Sequence, residues 1–66
     1  MTINISLPGG GIIEYAGEKA SIEEIMKHLK INPIEVIVAK NGKIISEEET
    51  AKAGDELKIV RIVHGG

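Results

Sequence analysis

The chain has 66 residues, ten Asp or Glu against eight Lys or Arg, and no Cys, Trp or Phe. That length bounds it to one domain, spanning 1–66. The missing Cys excludes disulfides, thiolate-held iron–sulfur clusters, Cys-based zinc sites and a thiol nucleophile. A net charge of −2 and a single aromatic residue, Tyr15, argue against nucleic acid as a direct partner, since such binding draws on basic patches and stacking platforms.

The longest apolar run is Val36 to Ala39, far short of a membrane span. Met1-Thr2-Ile3-Asn4-Ile5 has no basic segment of the kind that opens a signal peptide. A cytoplasmic protein with no membrane partner is expected. Ile and Val together number 17, which favours strands and an aliphatic core.

In chain order, Ile3, Ile5 and Leu7 alternate with polar residues and predict a half-buried strand. Pro8-Gly9-Gly10-Gly11 breaks it, and Ile12-Ile13-Glu14-Tyr15 forms the return strand of a hairpin. A phosphate loop would lead from strand to helix and end in Gly-Lys-Ser/Thr, so these glycines read as a turn. Ser21 and Glu24 form a capping box, with Ala20 and Ile25 at the staple positions. Ile22, Ile25, Met26 and Leu29 make one apolar helical stripe, and Glu23–Lys27 pair on the other side. Pro33 disfavours helical geometry at Asn32, so the helix is expected over about residues 22–30.

Val36-Ile37-Val38-Ala39 reads either as a strand covered on both faces or as one whose phase is unresolved. Asn41-Gly42 is a hairpin signal, with Lys43-Ile44-Ile45 returning. Ser46 to Ala53 is polar and is given at most one helical turn; its acidic run reads as solvated surface. Gly54-Asp55 turns into a last strand, Glu56 to Val63. Its charges place Leu57 and Ile59 inward and Lys58, Val60 and Ile62 outward. Arg61 falls in the inward phase, which implies that the strand leaves the core before it. These patterns give an α+β fold, a mixed sheet packed on one helix.

The hairpin, the helix, Val38-Ala39-Lys40-Asn41-Gly42-Lys43-Ile44-Ile45, Ala53-Gly54-Asp55-Glu56-Leu57 and Ile62-Val63-His64-Gly65-Gly66 together resemble the β-grasp, ubiquitin-like sulfur carriers. The resemblance covers the whole chain and is closer to the ThiS than to the MoaD group. It implies a sheet of four to five strands on one helix, first and last strands parallel at its centre, and a flexible C-terminal Gly-Gly tail over 64–66.

The resemblance also implies a function. Gly66 would be the adenylation and thiocarboxylate site, and Gly65 and His64 would thread a partner's cleft; His64 stands where the family often has a small residue. The implied partners are a ubiquitin-activating-enzyme-like adenylating enzyme (ThiF/MoeB-like) and a sulfur-accepting synthase, either thiazole synthase or the molybdopterin synthase large subunit. Transfer to tRNA uridine and conjugation to target-protein lysines are further outcomes of the same activation. ATP would be used by the partner, and no cofactor or metal would be bound by this chain.

Chemistry supports the choice of residues. Glycine lacks a Cβ and approaches another backbone closely, and the three residues after Val63 reach roughly 10 Å. No hydroxyl or histidine has the spacing of a nucleophile with an oriented base, so the chain is not expected to be an enzyme. His28 reads as an exposed residue of the last helical turn, where positive charge is favoured. Val60 and Ile62, with Lys58 and Arg61 beside them, are the candidate docking residues. A binding module that does not use its terminus is the remaining alternative.

Overall fold

The computed structural model describes residues 1–62. Strand β1, Thr2–Ser6, buries Ile3 and Ile5 completely. Strand β2, Ile12–Ala16, returns antiparallel to it, with Ile13 opposite Ile5 and Tyr15 opposite Ile3. The turn is closed by the Leu7 amide donating to Gly11 O at 2.6 Å. Gly9 and Gly10 adopt φ of 93° and 107°, which explains glycine there.

Strand β3, Lys19–Ser21, leads directly into helix α1, Ile22–Leu29. The Ser21 hydroxyl accepts from the Glu24 amide at 3.1 Å, which forms the forward half of the capping box. Ile22, Ile25 and Met26 are fully buried, Leu29 is half-buried, and Lys27 meets Glu23 at 3.7 Å. The helix ends at Leu29, and Asn32 is extended ahead of Pro33, as expected. Lys30 turns left-handed at φ 60°; its amide donates to Lys27 O and that of Ile31 to Met26 O, a Schellman closure. Ile31 then packs on the core.

A short 3-10 turn, Pro33–Glu35, is capped by Asn32, whose Oδ1 accepts from the Ile34 amide at 3.0 Å. Strand β4, Val36–Lys40, buries Val36 and Val38 and exposes Ile37. It is therefore covered on one face, not two. Asn41 and Gly42 form a turn at φ 50° and 88°, and strand β5, Lys43–Ile45, returns.

The expected helical turn in 46–53 is not there. Ser46 to Glu49 turn, and Thr50–Lys52 form strand β6, which pairs antiparallel with β3, Ala20 opposite Ala51. Both alanines are buried against the core. The Ile22 and Glu23 amides donate to Glu49 O and Glu47 O, so backbone bonding to the start of α1 holds this stretch in place of a helix.

Strand β7, Glu56–Arg61, buries Leu57 and Ile59. The main sheet has the order β2-β1-β7-β4-β5, with β1 and β7 parallel at its centre, as the resemblance implies. α1 covers one face, and the small β3–β6 sheet closes one side of the core. Tyr15 stands edge-on to His28 with ring centroids 5.2 Å apart, which joins β2 to the helix. Among the described residues no helix is long and apolar enough to cross a membrane.

Candidate functional site: the root of the tail and the open sheet face

The chemistry expected from sequence falls on the last residues of the chain. His64, Gly65 and Gly66 lie outside the described residues. What the structure shows is the platform from which they leave. β7 sits between β1 and β4, parallel to one and antiparallel to the other. Ile62, one residue beyond the strand and half-buried, donates its amide to Glu35 O at 2.8 Å. The chain is thus held by backbone hydrogen bonds up to the residue before Val63.

Among the described residues, the face of the main sheet turned away from α1 is uncovered. Register places its side chains in rows across the strands. The row at the start of β7 is polar: Glu14 lies opposite Asn4, and Asn4 opposite Glu56. The next row crosses all five strands as Ile12, Ser6, Lys58, Ala39 and Ile44. The row nearest the tail pairs Val60 with Ile37. Polarity falls along β7, so the most apolar part of the face lies at the end of that strand.

Of the docking residues chosen from sequence, Lys58 and Arg61 are exposed, Val60 is 46% exposed, and Ile62, expected on the outer face of a strand reaching Val63, lies past the strand's end at Arg61 and is half-buried. The structure brings Val60 together with Lys58 on the face, while Arg61 stands at the strand's end. Sequence reasoning did not select Ile12 and Ile44, each 74% exposed, or Ile37. A signal for two of them existed. In Val36-Ile37-Val38 only alternate residues can face one core, and in Ile44-Ile45 only one can; Val38 opposite Ile45 sets the inward pair.

The far end of β7 is fixed by a polar clasp. Asn41 Nδ2 donates to Asp55 Oδ1 at 3.1 Å, and the Glu56 amide donates to Asn41 Oδ1 at 3.0 Å. The Lys52 amide donates to Asp55 Oδ2 at 2.9 Å. The Lys52 amide first, and the Asn41 amide second, hold the Asp55 carboxyl below its usual range. No group of three or more metal-ligating side chains occurs among the described residues.

The fold is similar to that of the thiamine biosynthesis protein ThiS from Geobacter metallireducens. Its crystal structure matches with a TM-score of 0.67 at 24% identity, covering 96% of this chain and 99% of that one. Its solution NMR structure matches with a TM-score of 0.61 at 26% identity, covering 96% and 87%. An uncharacterized protein of Archaeoglobus fulgidus is 37% identical over 54 residues, 82% of this chain and 76% of the relative. The model of the ThiS family matches residues 7–66, the Gly-rich turn through the terminal Gly-Gly. By that match the chain belongs to the ThiS family.

Proposed function

We propose that this protein is a sulfur carrier of the kind its family membership indicates, a substrate of other enzymes and not a catalyst. The observation that carries the reading is that the family match runs through Gly66. A partner adenylating enzyme would join the Gly66 carboxylate to the α-phosphate of ATP, with loss of pyrophosphate. Sulfur at the sulfide level then attacks the carbonyl carbon, the bond to AMP breaks, and Gly66 is left as a thiocarboxylate. A synthase would take that sulfur; thiazole synthase is the acceptor in keeping with the thiamine biosynthesis proteins whose fold it shares.

The described geometry supports this role. A tail that must enter a partner's cleft needs a rigid point of departure, and the central strand supplies one. The apolar row Val60–Ile37 and the exposed Ile44 supply surface on which a partner can rest beside the tail.

The test is the intact mass of the protein after incubation with the adenylating enzyme encoded in the same genome, ATP and sulfide. One oxygen exchanged for sulfur at Gly66, absent when Gly66 is removed, is the expected result. An unmodified mass together with a Gly-Gly remnant on target lysines would replace it with protein conjugation. An unmodified mass with no conjugates would replace it with a binding module.

A further inference from the structure

β1 and β7 run parallel, so the hairpin turn that follows β1 lies beside the end of β7. Between them is an open cleft of about 450 Å³. Leu7, Ile12 and Val60 give it apolar walls, the Pro8–Gly11 turn forms its lip, and Lys58 and Arg61 stand on its rim. Among the described residues no carboxylate lines it, in a chain whose net charge is −2. Among the described residues neither cation is in an ion pair; the pair that forms is Lys27–Glu23 on α1. A smaller recess formed by Pro8, Gly9 and Arg61 continues it. Among the described residues nothing lies within 4 Å of where a Cβ would stand on Gly9 or Gly10, so the lip offers bare backbone.

We propose that this cleft receives an acidic segment of the activating enzyme: one large apolar side chain seated between Leu7, Ile12 and Val60, with carboxylates on either side meeting Lys58 and Arg61. The proposal rests on the reading that a partner protein engages the tail, and it names the chemistry of that contact. Charge complementarity selects the occupant. Two cations on an apolar cleft match an apolar anchor flanked by acids, and such rim charges set encounter rate and partner choice. Among the described residues, none that lines the cleft is an aromatic on which a base could stack.

The probe is a fluorescein-labelled heptapeptide with a central phenylalanine between glutamates, titrated into the full-length, 15N-labelled protein. The expected result is amide shifts confined to Leu7–Ile12 and Lys58–Arg61, with binding that weakens from about 0.05 to 0.5 M salt. Lys58→Glu with Arg61→Glu should weaken binding at least about tenfold, and Lys19→Glu should leave it unchanged. Ile12→Asp, at an exposed wall position, should weaken it without altering the fold. The same peptide with lysines in place of glutamates should not bind. Equal binding of the lysine peptide, shifts elsewhere, no shifts at all, or shifts with a single-stranded RNA oligomer instead would overturn the proposal. The titration involves no activation chemistry. Its failure would leave sulfur loading of Gly66 standing, and failed loading would leave the titration readable.

Discussion

Asn41 does two things at once. Its backbone takes a left-handed turn at φ 50°, and its side chain bonds both Asp55 and the Glu56 amide. The two contributions can be separated. Asn41→Gly keeps the turn and loses the side-chain bonds, at about 1 kcal/mol. Asn41→Ala adds the left-handed penalty, roughly 1 kcal/mol more. In a domain this small each kcal/mol lowers Tm by about 4–8 °C, so thermal melts will rank wild type above Gly above Ala.

Lys30 carries the same penalty with no side-chain bond to offset it among the described residues. Lys30→Gly is expected to stabilise by about 0.5–1 kcal/mol, read in the same melts.

Asp55 brings a pH dependence. Its folded carboxyl titrates below its ordinary value of 3.8. The stability it contributes is therefore complete above that value and is lost as pH falls through the lower folded one. Asp55→Asn should melt lower than wild type at neutral pH and lose less as pH falls below 3.8.

At the scale of elements, the β3–β6 pair seats two alanines against the core, Ala20 directly across from Ala51. Ala51 is wholly buried, so a larger side chain there must displace its neighbours. Ala51→Leu is expected to cost about 1–3 kcal/mol by overpacking, with the far-ultraviolet spectrum retained.

These two strands are also where the sequence is least legible. Lys19-Ala20-Ser21 and Thr50-Ala51-Lys52 each hold one small apolar residue in three, too little for a period of two to register. β1, α1 and β7 are legible because each repeats its apolar period two or more times. The phase of β4 is legible only once its neighbours are known, since Val36 to Ala39 gives no polar residue to mark the outer face. The open face is collective in the same way. Ile37, Ile44 and Val60 come from three strands, and register alone brings them to one surface. The Asn41–Asp55 clasp spans 14 positions and joins two turns that sequence treats as separate. Gly66 is legible only through its resemblance to a family motif.

For the molecule as a whole, stability on the order of 0.05–0.15 kcal/mol per residue gives about 3–10 kcal/mol. Removing one wholly buried side chain uses much of that. Ile25→Ala, at about 2–5 kcal/mol, should lower Tm by roughly 8–40 °C, read by circular dichroism. Changes on the open face should separate folding from partner use. Val60→Asp or Ile37→Asp should leave the melt within about 0.5 kcal/mol of wild type. Either should raise the concentration at which the adenylating enzyme releases pyrophosphate, and an unchanged concentration would remove the face from the interface.

The parallel pairing of β1 with β7 has a mechanical consequence. Tension applied between Met1 and the end of β7 runs along both strands in opposite senses, so the Asn4–Ser6 and Glu56–Lys58 ladder is loaded in shear. Its hydrogen bonds must then yield together. Force applied across the β5 edge would open its short ladder with β4 one rung at a time. An enzyme that grips the tail can therefore draw on it without unravelling the body, and single-molecule pulling should find a higher rupture force along the β1–β7 axis than across the β5 edge.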